Sequence, residues 1–336
     1  MTHKERVITS LNHTQPDYVP SQIDFTWQEY VRLAEYYGDP KFGEKINNHV
    51  AWAGCDNVRT EVPGKKEHYR DIYGVVWNCG GADKDIGAIE GVVIPEPSLK
   101  GFSLPPVNEK LLRDAYSQIE KTADKFIVGG IGFSLFERAW TLCGMENVLT
   151  YMITDKSFLH ELLDLICERN LAVLDIILDY GIDCAYFGDD WGQQKGLIMG
   201  PDYWREFIKP RLKRMYGKAK AKGKFVAQHS CGDISAVLTD VIDAGLDVYQ
   251  TFQPEIYDIA AVKKQYGGNL SFWGGISTQH VLAHGTPADV ERETIETLRI
   301  LGKGGGYIAA PTHAVPGDVP PKNFDAMLKV FLGQKK

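Results

Sequence analysis

From residue 107 onward the chain alternates between two hydrophobic rhythms. Short apolar runs read as strands: Phe126–Ile131, Cys184–Phe187, Lys224–Ala227, Asp247–Thr251, Leu270–Gly275 and Gly306–Pro311. Between them apolar residues recur at helical spacing, predicting helices over 134–143, 145–152, 155–180, 201–222, 234–244, 258–266, 287–301 and 321–332. The clearest is 155–180, where Leu159, Leu162, Leu163, Ile166, Leu171, Leu174, Ile177 and Leu178 share a face and Gly181 supplies a left-handed stop.

The first third is less regular. A helix over 4–15 ends before Pro16-Asp17, and Val19–Asp24 reads as the first strand. Residues 28–54 read as helical, interrupted at Gly38-Asp39-Pro40. Residues 60–106 are rich in Gly and Pro, with a hairpin strand at Tyr73–Trp77, and a helix over 107–123 follows. Alternating strands and helices call for a parallel sheet, and their number favours closure. The expectation is an α/β fold: one (β/α)8 TIM-barrel domain over 1–336, with an N-terminal helical and hairpin elaboration and an excursion at about 60–106. No Gly-x-Gly-x-x-Gly follows a strand, which argues against a dinucleotide fold.

In such a barrel the C-terminal ends of the strands share the face where chemistry occurs. Those ends carry Asp24, then Asp189-Asp190-Trp191, then His229-Ser230-Cys231-Gly232-Asp233, then Gln250 and Glu255, and last Thr312-His313. His229 and Cys231 are two apart, so an extended backbone turns both to one side. A borderline-soft ion such as zinc takes both ligand types, but two ligands do not make a site. Each residue also has an ordinary reading. His229 fits a hydrogen-bonded core histidine, His313 a loop residue, Asp189 a turn cap, and Glu255 a helix N-terminal carboxylate. Phe25, Trp27, Phe133, Trp140 and Trp191 fit either core packing or an aromatic pocket lining.

A net charge of −7 argues against a general nucleic-acid or anionic-membrane binder. No apolar run approaches the roughly 20 residues of a bilayer span. The N-terminus lacks an apolar signal region, so the expected location is cytoplasmic, where the six cysteines stay reduced.

The segments Pro16–Pro20, Phe136-Glu137-Arg138-Ala139-Trp140, Gly188–Gly192, His229-Ser230-Cys231-Gly232-Asp233, Trp273-Gly274-Gly275-Ile276 and Pro311-Thr312-His313 carry a resemblance. Nearly end to end, the chain resembles the uroporphyrinogen decarboxylase superfamily. That resemblance implies a (β/α)8 barrel and one of two chemistries. One is cofactor-free decarboxylation of uroporphyrinogen. The other is zinc-dependent methyl transfer to or from a corrinoid protein.

The decarboxylases carry an arginine-rich motif just after the first strand, as a polyanionic substrate requires. Here Gln22-Ile23-Asp24-Phe25-Thr26-Trp27 holds no Arg or Lys. The methyltransferase branch carries His-x-Cys and a late Cys; His229 and Cys231 match, while His313 stands where the late Cys would be. The departure suggests a harder site, suited to an oxygen-bound methyl group.

The resemblance therefore implies zinc held by His229, Cys231 and His313. The corrinoid (cobalamin) would be carried by a partner protein, and the donor would be a small methylated substrate such as a methoxylated aromatic. Asp189, Asp190 and Glu255 are the catalytic candidates, Glu255 doubling as a fourth ligand. Asp24, Phe25, Trp27, Phe133, Trp191 and Gln250 are the substrate-binding candidates, and a homodimer is allowed. The alternatives are a decarboxylase relying on Lys195 and Arg138, and a non-catalytic barrel that binds a corrinoid or tetrapyrrole.

Overall fold

A computed structural model describes residues 1–81, 86–122 and 124–334. Parts of the expected excursion (82–85), the last residue of the helix expected over 107–123, and residues 335–336 lie outside the described residues. Seven parallel strands form one curled sheet: β1 (Val50–Ala53), β2 (Phe126–Ile131), β3 (Cys184–Gly188), β4 (Phe225–His229), β5 (Val248–Phe252), β6 (Ser271–Ile276) and β7 (Tyr307–Pro311). They pair in sequence order. The helices expected between them form, with Lys156–Ile177 the longest, and pack outside the sheet.

Two expectations fail at the start of the chain. Residues 28–54 are not one helical stretch. A helix covers Trp27–Tyr37, ends on the left-handed Gly38, and is followed by a short 3-10 turn and then β1. The Val50-Ala51-Trp52-Ala53 run is short and alanine-rich, so local propensity favours helix; pairing with β2 decides for strand. Conversely, Val19–Asp24 makes only isolated bridges, of Ser21 with Ala309 and, just beyond, of Phe25 with Val315.

That segment still lies in the seam between β7 and β1. On one side Ala309 donates its N–H to Pro20 O, and Gln22 N–H donates to Ala309 O. On the other side His49 N–H donates to Ser21 O at 3.0 Å, and Ile23 is partnered by a side chain. The Asn48 carboxamide accepts from Ile23 N–H at 2.9 Å and donates to Ile23 O at 2.8 Å. An amide side chain thus stands in for a strand's peptide group and satisfies backbone that would otherwise be orphaned.

Inward-facing residues form a second core, distinct from the one under the helices. Val50, Phe126, Val128, Cys184, Ala227, Val248, Trp273, Ile308 and Ala310 fill the inside of the curled sheet. The helix His3–Leu11 closes its N-terminal end with Val7 and Leu11. Its start is fixed by a capping box between Thr2 and Glu5.

The excursion is a four-stranded antiparallel sheet (Arg59–Glu61, His68–Asp71, Val76–Asn78, Ala88–Glu90). It is fastened to the body by buried groups. Arg138 pairs with Asp71 at 3.2 Å and lies over the Tyr73 ring, and Trp77 packs on Phe133.

Candidate metal centre

At the C-terminal rim β4 delivers His229, and the chain then turns through Ser230 to Cys231 and Gly232. Buried groups hold this turn from every side. Ser230 N–H donates to Gln250 O at 2.7 Å, and Gly232 N–H donates to Gln253 Oε1 at 2.8 Å. The Tyr249 hydroxyl donates to Ser230 O, and the Tyr257 hydroxyl to Gly232 O, each at 3.1 Å. Gly232 has a φ of +77°, and a side chain there would collide with Gly192. The thiol is therefore presented by a rigid loop, as a ligand site needs.

His313 follows β7. Its loop is tied down by Thr312, whose N–H donates to Ile276 O at 2.8 Å. The His229 and His313 rings meet edge to face, 5.9 Å between centroids. One nitrogen from each, with the Cys231 sulfur, all lie within 4.8 Å of one another. Two strand ends far apart in sequence, those of β4 and β7, thus bring two imidazoles and a thiol to one point. This N/S/N donor set fits a borderline-soft divalent cation.

The surroundings select the ligand atoms. His229 Nδ1 donates to Gln250 Oε1, which also accepts from the Tyr186 hydroxyl at 3.0 Å. That leaves Nε2 facing Cys231 Sγ at 3.5 Å and Asp190 Oδ1 at 3.3 Å. Asp190 Oδ1 also accepts from Cys231 N–H at 2.8 Å. Burial alone would lower the His229 pKa, but Tyr186, Asp190 and Cys231 together hold it well above its ordinary value. The Tyr186 phenol is itself pushed up to about 12 by burial and stays neutral, so the Asp190 carboxylate is the decisive partner. Burial would raise Asp190 too, but bonds from His229 and Cys231 keep its carboxyl below the usual range.

The sequence model of one family, described as uroporphyrinogen decarboxylase (URO-D), matches residues 77–331. The chain belongs to the URO-D family. Within it, similarity runs to both of the chemistries named above. The methylcobamide:CoM methyltransferase MtaA of Methanosarcina barkeri is 23% identical over 242 residues, 71% of this chain and 67% of that protein. The uroporphyrinogen decarboxylase of Sodalis glossinidius is 27% identical over 209 residues, 57% of this chain and 55% of that one. A methyltransferase from Methanosarcina mazei shares the fold, with a TM-score of 0.74 at 18% identity and all of both chains covered. Among the described residues no helix is long and apolar enough to cross a membrane.

Not every candidate of this URO-D chain reaches the triad. Asp189 is fully buried, and its carboxylate accepts the backbone N–H groups of Leu135, Phe136 and Glu137 and the Trp191 indole N–H. It caps the helix Phe136–Cys143, while its neighbour Asp190 turns to the metal centre. Trp191 is buried against Trp204. Phe25 packs among Tyr30, Phe42 and Phe324, and Phe133 lies beside Trp77 and Trp140. Trp27 is 72% exposed and stacks on Tyr30. Glu255 accepts from the Ser277 hydroxyl, and burial raises its carboxyl. It is not one of the clustered donors.

Of the substrate candidates, Gln250 orients His229. Asp24 accepts from Gln22 at 3.0 Å, and burial raises its carboxyl. Of the basic residues a decarboxylase would use, Arg138 is buried on Asp71 and Lys195 is exposed at the tip of the Gly192–Leu197 hairpin.

Three residues with a place at the site were missed from sequence. Trp52 was hidden inside a stretch read as helix, and Tyr186 was taken only as part of an apolar strand. Glu137 sits half-buried near Asp190. Burial, with the Asp190 and Asp189 carboxylates adding, pushes its carboxyl up to about 8. The sequence signal was a lone acid at an apolar helix start, Phe136-Glu137-Arg138-Ala139-Trp140.

Proposed function

We propose that this chain is a corrinoid-dependent methyltransferase that holds zinc on His229, Cys231 and His313. In this reading it moves a methyl group from a small methylated substrate, of the methoxylated-aromatic kind, to a corrinoid carried by a partner protein. The observation that carries the reading is the convergence of the three donor atoms within 4.8 Å. Similarity to the methylcobamide:CoM methyltransferases supports the corrinoid. The burial of Arg138 counts against a site built for a polycarboxylate.

When bound, zinc would supply Lewis acidity toward the oxygen from which the methyl group departs. The chain's own residues do the rest. Gln250 and Tyr186 fix the His229 ring, and Asp190 holds the Cys231 loop and faces the imidazole. The carbon–oxygen bond would break with its electron pair left on oxygen, and the reduced corrinoid of the partner would supply the electron pair that takes up the methyl group. Glu137, near Asp190 and with its carboxyl raised by burial, would be the proton source for that oxygen. The same reading takes residues 20–26 as the eighth stave of a closed (β/α)8 barrel and places the protein in the cytoplasm.

The test is metal analysis followed by turnover. Purified protein should carry about one zinc per chain, and His229→Ala, Cys231→Ser and His313→Ala should each lose most of it. With a reduced corrinoid protein, methoxylated phenols should be demethylated by the parent only. Full metal occupancy in all three variants would end the proposal.

A further inference from the structure

Just below the metal centre the barrel contains three rings from three strands. Trp52 of β1 and Trp273 of β6 stack, 5.6 Å between centroids with 20° between planes. Tyr186 of β3 meets Trp52 edge to face at 4.9 Å. Trp52 is not hydrogen-bonded to β6 in the sheet, so touching Trp273 requires it to point into the ring. Trp273 and Tyr186 are adjacent to the donors, since Trp273 is in register with Gln250 and Tyr186 bonds that same residue. Yet Trp52 remains 41% exposed while Trp273 is 2% exposed. An indole inside a barrel, with two-fifths of its surface uncovered, borders open space rather than packed core.

The wall beside it is built to leave that space. Gly130 of β2 would direct a side chain toward the rings: a Cβ there would meet Tyr186 Cδ1 at 3.6 Å and Trp52 Cζ3 at 3.9 Å, with no backbone in the way. Gly188 of β3 would place one 3.4 Å from the Gly132 Cα and 4.0 Å from Tyr186 Cε1. Neither glycine has a positive φ that would demand glycine there. Their missing side chains are accounted for by room, not by backbone conformation.

We infer that the hollow bounded by Trp52, Tyr186 and Gly130 is a subsite for one planar aromatic ring, which lies against the Trp52 indole while its oxygen substituent reaches toward the metal centre. The inference rests on the methyl-transfer reading for its place in the reaction, but ring binding itself needs neither metal nor corrinoid. The subsite selects flat unsaturated rings over saturated ones of equal size, because stacking on indole needs a π-face.

The test uses phenol and cyclohexanol as probes, titrated by calorimetry and by tryptophan fluorescence into full-length protein, both zinc-loaded and metal-stripped. Phenol should bind both forms and bind at least about tenfold more tightly than cyclohexanol. Trp52→Leu should lose about tenfold of the phenol affinity, and Trp52→Phe should restore most of it. Gly130→Val, which fills the hollow without touching the platform's chemistry, should abolish phenol binding with zinc content and circular dichroism unchanged. Equal binding of the two probes, or phenol binding untouched in both Trp52→Leu and Gly130→Val, would overturn the subsite. Phenol binding with no demethylation of any methoxyphenol would sink the methyl-transfer reading and leave the subsite standing.

Discussion

Gly192 and Gly232 lie backbone against backbone: a Cβ on Gly192 would stand 2.6 Å from the Gly232 carbonyl carbon, and one on Gly232 only 2.3 Å from that of Gly192. The contact clamps the hairpin after β3 to the loop that carries Cys231, and Asp233 N–H donates to Gln193 O at 2.8 Å beside it. No neighbouring side chain can yield, because both colliding groups are main chain. Gly232→Ala adds the cost of a positive φ. It should destabilise the protein by about 2–4 kcal/mol and displace the thiol. Thermal melts and zinc stoichiometry check this; a variant that melts like the parent and keeps its metal would show that the loops do not touch.

Asp189 and Asp190 are adjacent in sequence and opposite in task. Asp190→Asn keeps an acceptor for Cys231 N–H but removes the charge facing His229, so zinc affinity should fall by about 10–100-fold with little change in melting temperature. Asp189→Ala removes the acceptor of three backbone N–H groups and one indole N–H in a fully buried place. It should cost about 3 kcal/mol or more. Competition with a chelator and denaturant unfolding separate the two. If both variants behaved alike, the division of labour would be wrong.

Glu137 gives a pH signature. Its carboxyl titrates at about 8 in the folded protein against an ordinary 4.5. Between those values the folded state holds more protons than the unfolded chain, so this residue makes stability fall as pH rises through the window. Glu137→Gln removes that loss. In metal-free protein, the melting temperature of the variant relative to the parent should climb from about pH 5 to about pH 8.5, the direction set by linkage. A difference that is flat with pH would mean that the carboxyl is solvated.

How much of this was legible beforehand follows from range of interaction. The strand ends of β3 to β7 could be read because each apolar run is followed by polar residues, and parallel topology sends such ends to one rim. His229 and Cys231 share a loop, so their pairing is local. His313 could be placed only through topology and resemblance. Trp52 was lost because four residues with two alanines carry no strand rhythm, and only pairing with β2 makes them a strand. Asp189 stays open between a site role and a cap, because a carboxylate at a strand end looks the same whether it faces the cavity or a helix N-terminus. That choice is made by Leu135–Glu137, over fifty positions away in sequence. Trp27 reads as part of the loop after the first strand, and as the first residue of the helix Trp27–Tyr37 it is left exposed instead.

Asn48 offers a last test, of the ring rather than of the site. Its carboxamide both accepts from and donates to Ile23, doing for the 20–26 segment what a neighbouring strand would do. Asn48→Ala leaves a buried peptide group without partners on that side, at a cost of about 1–3 kcal/mol. Asn48→Asp keeps the acceptor and loses the donor, so it should fall between the two. Hydrogen exchange localises the effect: amides of Ile23 and of Ala309, which donates to Pro20 O, should lose protection before those of β3 and β4. Uniform loss across the whole sheet would show instead that residues 20–26 are as integral to the ring as its seven strands.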